Sequence, residues 1–91
     1  MSAQRVEQIR ERLNKALEPE FLNIEDESHL HAGHVGARDG RGHFHVHIVS
    51  AAFDGLRALQ RHRLIYQSIG ELMQTDIHAL RIDAHASSEL D

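Results

Sequence analysis

Apolar residues recur at spacings of three and four over residues 2–17. Val6, Ile9, Leu13 and Leu17 fall on one side, and Gln, Arg and Glu fill the other. This predicts an amphipathic helix that Ser2 can cap. It stops at Glu18-Pro19, because proline disfavours helix in the residue before it. Residues 21–26 predict a short strand with Leu22 and Ile24 on one face. Residues 28–42 hold four of the six glycines together with His29, His31 and His34, and predict a flexible loop. Residues 43–49 then alternate: Phe44, Val46 and Ile48 point one way, and His43, His45 and His47 the other, as in a half-buried strand.

Residues 50–74 have a helical pattern in two parts. Leu56 and Leu59 form one stripe; Ile65, Ile69, Leu72 and Met73 form another, turned by roughly a quarter to a third of the circumference. A break near residues 59–62 accounts for the shift, giving a short helix, capped by Ser50 or Asp54, and then a longer one. Residues 77–84 alternate again, with His78, Leu80, Ile82 and Ala84 on one face and Ala79, Arg81 and Asp83 on the other. The tail, 86–91, carries no periodic signal and is expected to be disordered. The order αββααβ predicts a two-layer α+β domain with helices on one face of a three-stranded sheet. The connection from the second strand to the third is long enough for a helical crossover, so that pair can be parallel.

Composition sharpens this picture. With 91 residues there is room for a single domain with a thin core. Cysteine is absent, which removes disulfides, thiol nucleophiles and every thiolate metal site built from this chain alone. There is no apolar run of the roughly 20 residues that a membrane span requires. The first residues show no apolar signal core, and the expected location is the cytoplasm. The net charge is −4 with neutral imidazoles, and nine histidines can reverse its sign by about pH 5.5.

The histidines carry the chemistry. His29, His31 and His34 offer neutral nitrogen ligands for transition metals, but no fixed ligand spacing joins them, and a polar glycine-rich loop accounts for them on composition alone. His43, His45 and His47 stand about 6.7 Å apart at each step along a strand, too far to share one small ion unaided, and the expectation is a solvent face. His78 shares the parity of core positions but opens its strand, which places it at the rim of the buried face. Arg57, Arg61, His62 and Arg63 form a local basic cluster that can meet phosphate, weighed evenly against a solvated helix face. Gly33-His34-Val35-Gly36 has the spacing of a backbone-clamping GxxG loop but lies between strands. No catalytic constellation is present, and the chain is not expected to be an enzyme.

The ordered set Asp26-Glu27-Ser28, His31, His43-Phe44-x-Val46, Ile48-Val49-Ser50, Phe53-x-Gly55, Arg61-His62-Arg63 and Ile77-His78-Ala79-Leu80 resembles the BolA family along nearly the whole chain. The resemblance implies a class II KH-like fold. It also implies a heterodimer with a monothiol glutaredoxin that shares a [2Fe–2S] cluster, acting in iron–sulfur or iron homeostasis. On that pattern His78 is a cluster ligand. The second ligand maps onto His31, with His34 and His43 as alternatives. The glutaredoxin cysteine and glutathione would supply sulfur, giving a mixed imidazole and thiolate set of Rieske type. The alternative activity implied by the resemblance is that of a DNA-binding transcriptional regulator of stress response and morphology, using the Arg57, Arg61 and Arg63 region. The free protein is expected to be a monomer or weak homodimer. Many family members carry lysine where this chain has His45.

Overall fold

The computed structural model describes residues 2–28 and 41–90, with side chains from Ala3 onward. The side chain of Ser2 and the loop histidines His29, His31 and His34 therefore lie outside the described residues. The elements are α1 (Ser2–Leu17), β1 (Phe21–Asp26), β2 (Gly42–Ser50), α2 (Ala58–Ile69), α3 (Leu72–Thr75) and β3 (Ile77–Ala86). The sheet order is β1-β2-β3, with β1 antiparallel and β3 parallel to the central β2. This is the two-layer α+β arrangement that the periodicities predict, and the parallel pair is joined by the helical crossover.

Helices cover one face of the sheet. Ile9, Leu13 and Leu17 of α1 meet Ile65 and Ile69 of α2 over Phe44, Val46 and Ile48 of β2, and all eight are buried. Full burial of such side chains contributes about 1.5–3 kcal/mol each, which is how so short a chain holds its sheet against two helices. Glu18 has φ 44° and gives the chain its turn away from α1 ahead of Pro19. Arg12 ties α1 to the end of α2 by donating from Nη1 to the Ile69 carbonyl at 2.7 Å, a cation where the helix presents its unpaired carbonyls.

The crossover differs from the expected pair of helices. Ser50 does cap: its Oγ accepts from the Ala52 N–H at 3.1 Å and donates to the Leu17 carbonyl at 2.7 Å. What it caps is only a single 3-10 turn, Ala51–Phe53. Gly55, at φ 78°, then redirects the chain. The break thus falls at 54–57, not at 59–62, which lie inside α2. A second interruption at Gly70, φ 66°, separates α2 from α3. The stripe of Leu56 and Leu59 shifts because Leu56 precedes the helix, and Leu59 is exposed.

Residues 86–90, where the sequence carries no periodic signal, hold the end of β3 and one further turn. β3 runs to the buried Ala86, and Ser87–Leu90 form a 3-10 turn held by Glu89. That carboxylate accepts two bonds from Arg61 (2.8 and 2.9 Å) and one from the Ala86 N–H (2.8 Å).

Candidate functional site

The end of the sheet where β1 finishes and β2 and β3 begin brings His43 and His78 together. β2 and β3 pair as Gly42 with Ile77, and then as His43 with Ala79. His78 is therefore the extra residue of a β-bulge, a feature that re-aims a side chain. Upstream of it Ile77 is buried; downstream Leu80, Ile82 and Ala84 pack against the core while His78 and Ala79 are exposed. Strand parity assigned His78 to the rim of the buried face. The bulge corrects this, turning the imidazole outward while the backbone remains in the sheet.

The surroundings of His78 are tightly built. The rings of His43 and His78 are 5.2 Å apart between centroids, at an interplanar angle of 53°. The Arg41 guanidinium lies 3.4 Å from His78 Nδ1 and donates to the Gln74 carbonyl at 3.3 Å. The Gly42 N–H donates to the Asp76 carbonyl at 2.9 Å. Glycine is required at position 42 by close approach: a Cβ there would stand 2.7 Å from the Phe44 ring and 2.8 Å from Ser28 Oγ. Ser28 Oγ accepts from the His43 N–H at 3.1 Å, and the Ser28 N–H donates to Asp26 Oδ1 at 2.8 Å. The two ends of the loop, Ser28 and Arg41, thus both sit at this rim. His31 and His34 lie outside the described residues.

The other face of the sheet is not the open solvent face expected of His43, His45 and His47. His43 and His45 are buried and His47 is half-buried. Cross-strand neighbours cover them, which alternation within one strand cannot reveal. Glu25 and Arg81 flank His45, and Asn23 and Asp83 flank His47. His45 Nε2 is 2.7 Å from Asp83 Oδ2, and this hydrogen bond, with the nearby imidazoles, holds the Asp83 carboxyl below the usual range. The His45 and His47 rings lie 3.9 Å apart between centroids, tilted by 41°.

The basic cluster divides. Arg61 is largely buried and committed: Nε donates to the Leu56 carbonyl (2.9 Å), Nη1 to that of Ala84 (3.2 Å), and both Nη atoms to Glu89. Arg57, which precedes α2, and Arg63 are exposed, and His62 is half-buried. The Gln60 side chain accepts from the Arg57 N–H at 2.9 Å, closing the first turn. An open cleft of about 410 Å³ lies here, lined in part by Arg57, Arg61, His62 and Glu89.

Known proteins share this fold and sequence. A family model described as BolA-like protein matches residues 13–89. Protein BOLA1, chloroplastic, of Arabidopsis thaliana is 46% identical over 88 residues, which are 93% of this chain and 55% of that protein. The chain thus spans little more than half the length of that relative. DNA-binding transcriptional regulator BolA of Haemophilus influenzae is 40% identical over 89 residues, covering 98% of this chain and 82% of the relative. Among solved structures, the BolA domain of SufE1 from Arabidopsis thaliana superposes with a TM-score of 0.82 at 42% identity, over 93% of this chain and 94% of that one. The mixed three-stranded sheet and these matches agree: the chain belongs to the BolA family.

Proposed function

We propose that this protein is an adaptor that offers imidazole nitrogen to a [2Fe–2S] cluster whose sulfur ligands come from a monothiol glutaredoxin and glutathione. The observation that carries the reading is the exposed His78, presented on a β-bulge at the edge of a rigid sheet. A backbone paired on both sides of the bulge fixes the ligand, and exposure lets a partner approach. The donor set of the chain fits: it contains no cysteine, so it offers imidazole nitrogen at this rim, and the thiolates must arrive in trans. When bound, such a cluster supplies one-electron redox chemistry, with imidazole ligands raising its potential relative to an all-thiolate set. His31 is the second ligand of this proposal. It stands three residues after Ser28, a distance the chain spans in at most ~11 Å, and Ser28 is bonded to the His43 backbone at this same rim. His43, in ring contact with His78, and His34 are the alternatives.

Anaerobic reconstitution tests the proposal. The chain is mixed with a monothiol glutaredoxin, glutathione, ferrous iron and sulfide, and visible absorption and circular dichroism are recorded. A spectrum distinct from that of the glutaredoxin homodimer, lost in His78→Ala, is the expected result. A spectrum identical to the homodimer's, or one untouched by His78→Ala, would contradict it.

A second reading, DNA binding, draws on the exposed Arg57 and Arg63 beside the α2 cleft. Reversing these two charges should abolish a salt-sensitive gel shift without unfolding the protein. Arg61 is unsuited to this test because it holds the chain end.

A further inference from the structure

The outer face of the sheet presents a grid of polar side chains from all three strands. β1 contributes Glu25, β2 contributes His45 and His47, and β3 contributes Asp83. One ligand atom each from Glu25, His45 and His47 lies within 4.8 Å of the others. We propose that Glu25, His45 and His47 form a binding site for a divalent zinc-class cation, separate from the rim histidine His78. Donors on a tetrahedral zinc lie ~3.3 Å apart, from metal–ligand bonds of ~2.0–2.1 Å. The cluster therefore needs to contract by at most about 1.5 Å, within the reach of the half-exposed Glu25 and His47 side chains.

Three further features favour the site. His47 Nε2 is already 3.6 Å from Glu25 Oε1. Asp83 Oδ2 lies 2.7 Å from His45 Nε2 and 3.6 Å from His47 Nδ1, so a second carboxylate stands against both rings, as a fourth oxygen or as the partner that orients an imidazole. The local charge is negative. Among the described residues, Glu25, Glu27 and Asp83 face one guanidinium, Arg81, whose Nη1 is 3.8 Å from Glu27 and whose Nη2 is 3.2 Å from His45 Nδ1. Arg81 offsets Glu27, while Glu25 Oε1 accepts from the neutral Asn23 amide at 3.3 Å and Asp83 pairs with His45, bonds that a cation would replace. His45 is held by its neighbours, while the exposed edges of His47 and Glu25 keep the site open to solvent. Two imidazoles with one or two carboxylate oxygens suit zinc and disfavour calcium and magnesium, which take oxygen alone.

Zinc chloride titrated into the full chain by calorimetry, without glutaredoxin, tests this. The chain first carries His29→Asn, His31→Asn and His34→Asn, so that loop nitrogens do not contribute. This background should bind one zinc and shift the ring resonances of His45 and His47. Adding Glu25→Gln or His47→Asn should weaken binding by about 10–100-fold, while adding His78→Ala should leave it unchanged. The substituted positions 25 and 47 are solvent-accessible, and circular dichroism verifies the fold. A background chain that binds no zinc, or binding that survives His47→Asn intact, would overturn the proposal. Neither result depends on whether His78 ligates a cluster.

Discussion

Replacing Arg61 by lysine keeps the charge and removes the fork. In the native chain Nε and Nη1 satisfy the carbonyls of Leu56 and Ala84, at 2.9 and 3.2 Å, from a side chain only 12% exposed. A lysine ammonium cannot reach both. Hydrogen bonds to a charged donor contribute about 1.5–3 kcal/mol each when well enclosed. These are partly buried, so about 1 kcal/mol each is the appropriate scale. Nothing is added for Glu89, which is half-exposed and screened. The loss is then about 2 kcal/mol, and at about 4–8 °C per kcal/mol for a domain of this size Tm should fall by about 8–16 °C. Thermal melting followed by far-ultraviolet circular dichroism measures it. Arg57→Lys and Arg63→Lys, at exposed positions, should stay within about 0.5 kcal/mol of the parent. An Arg61→Lys protein that melts with the parent would refute the assignment of Arg61 as the clasp between α2, β3 and the chain end.

Gly42→Ala drives a methyl to within 2.7 Å of the Phe44 ring and should cost about 1–3 kcal/mol by overpacking, visible as a lower urea midpoint. It should also displace the His43 and His78 rings, which chemical shifts of their ring protons will report. Ser50→Ala leaves the buried Leu17 carbonyl without its donor and removes the cap of the 3-10 turn, for a loss of about 2 kcal/mol in urea unfolding. Stability should decline in acid. Arg61 and the Ala86 N–H hold the Glu89 carboxyl at about 2 against an ordinary 4.5. A bond from Thr75, with Arg5, holds Asp76 low, and one from His45 holds Asp83 low. Each carboxyl is more acidic folded than unfolded. The contribution of Glu89 is therefore complete above about pH 5 and lost as pH falls toward about 2, and Asp76 and Asp83 add losses of the same sign on acidification. Urea midpoints that stay level across that interval would contradict these pairings.

Much of the fold can be read along the chain. The run of Val6, Ile9, Leu13 and Leu17 gives α1, and the alternation around Phe44, Val46 and Ile48 gives β2, because each pattern reports a face buried against a single neighbouring layer. What escaped the sequence depends on pairing between strands or distant segments. The bulge at His78 breaks strand parity, and nothing in Ile77-His78-Ala79 announces it, because it arises from register with Gly42 and His43. Burial of His45 follows from Glu25 on one side and Arg81 on the other, residues 20 and 36 positions away in the chain. The 3-10 turn after β3 is held by Glu89 meeting Arg61 across 28 residues. The motif Arg61-His62-Arg63 reads equally as a phosphate site or a solvated helix face by charge alone, while the structure separates its members by burial. Gly55 was the one local cue to the true break before α2, since glycine tolerates the positive φ found there.

Pulsed electron paramagnetic resonance of the reduced cluster tests the central proposal most directly. The chain is labelled with ¹⁵N-histidine and reconstituted with unlabelled glutaredoxin, glutathione, iron and sulfide. Strong nitrogen hyperfine couplings that convert from ¹⁴N to ¹⁵N with this labelling, one set of which is lost in His78→Ala while that of the second histidine remains, are the predicted result. A cluster spectrum with no histidine coupling from this chain would contradict the reading of His78 as a metal ligand.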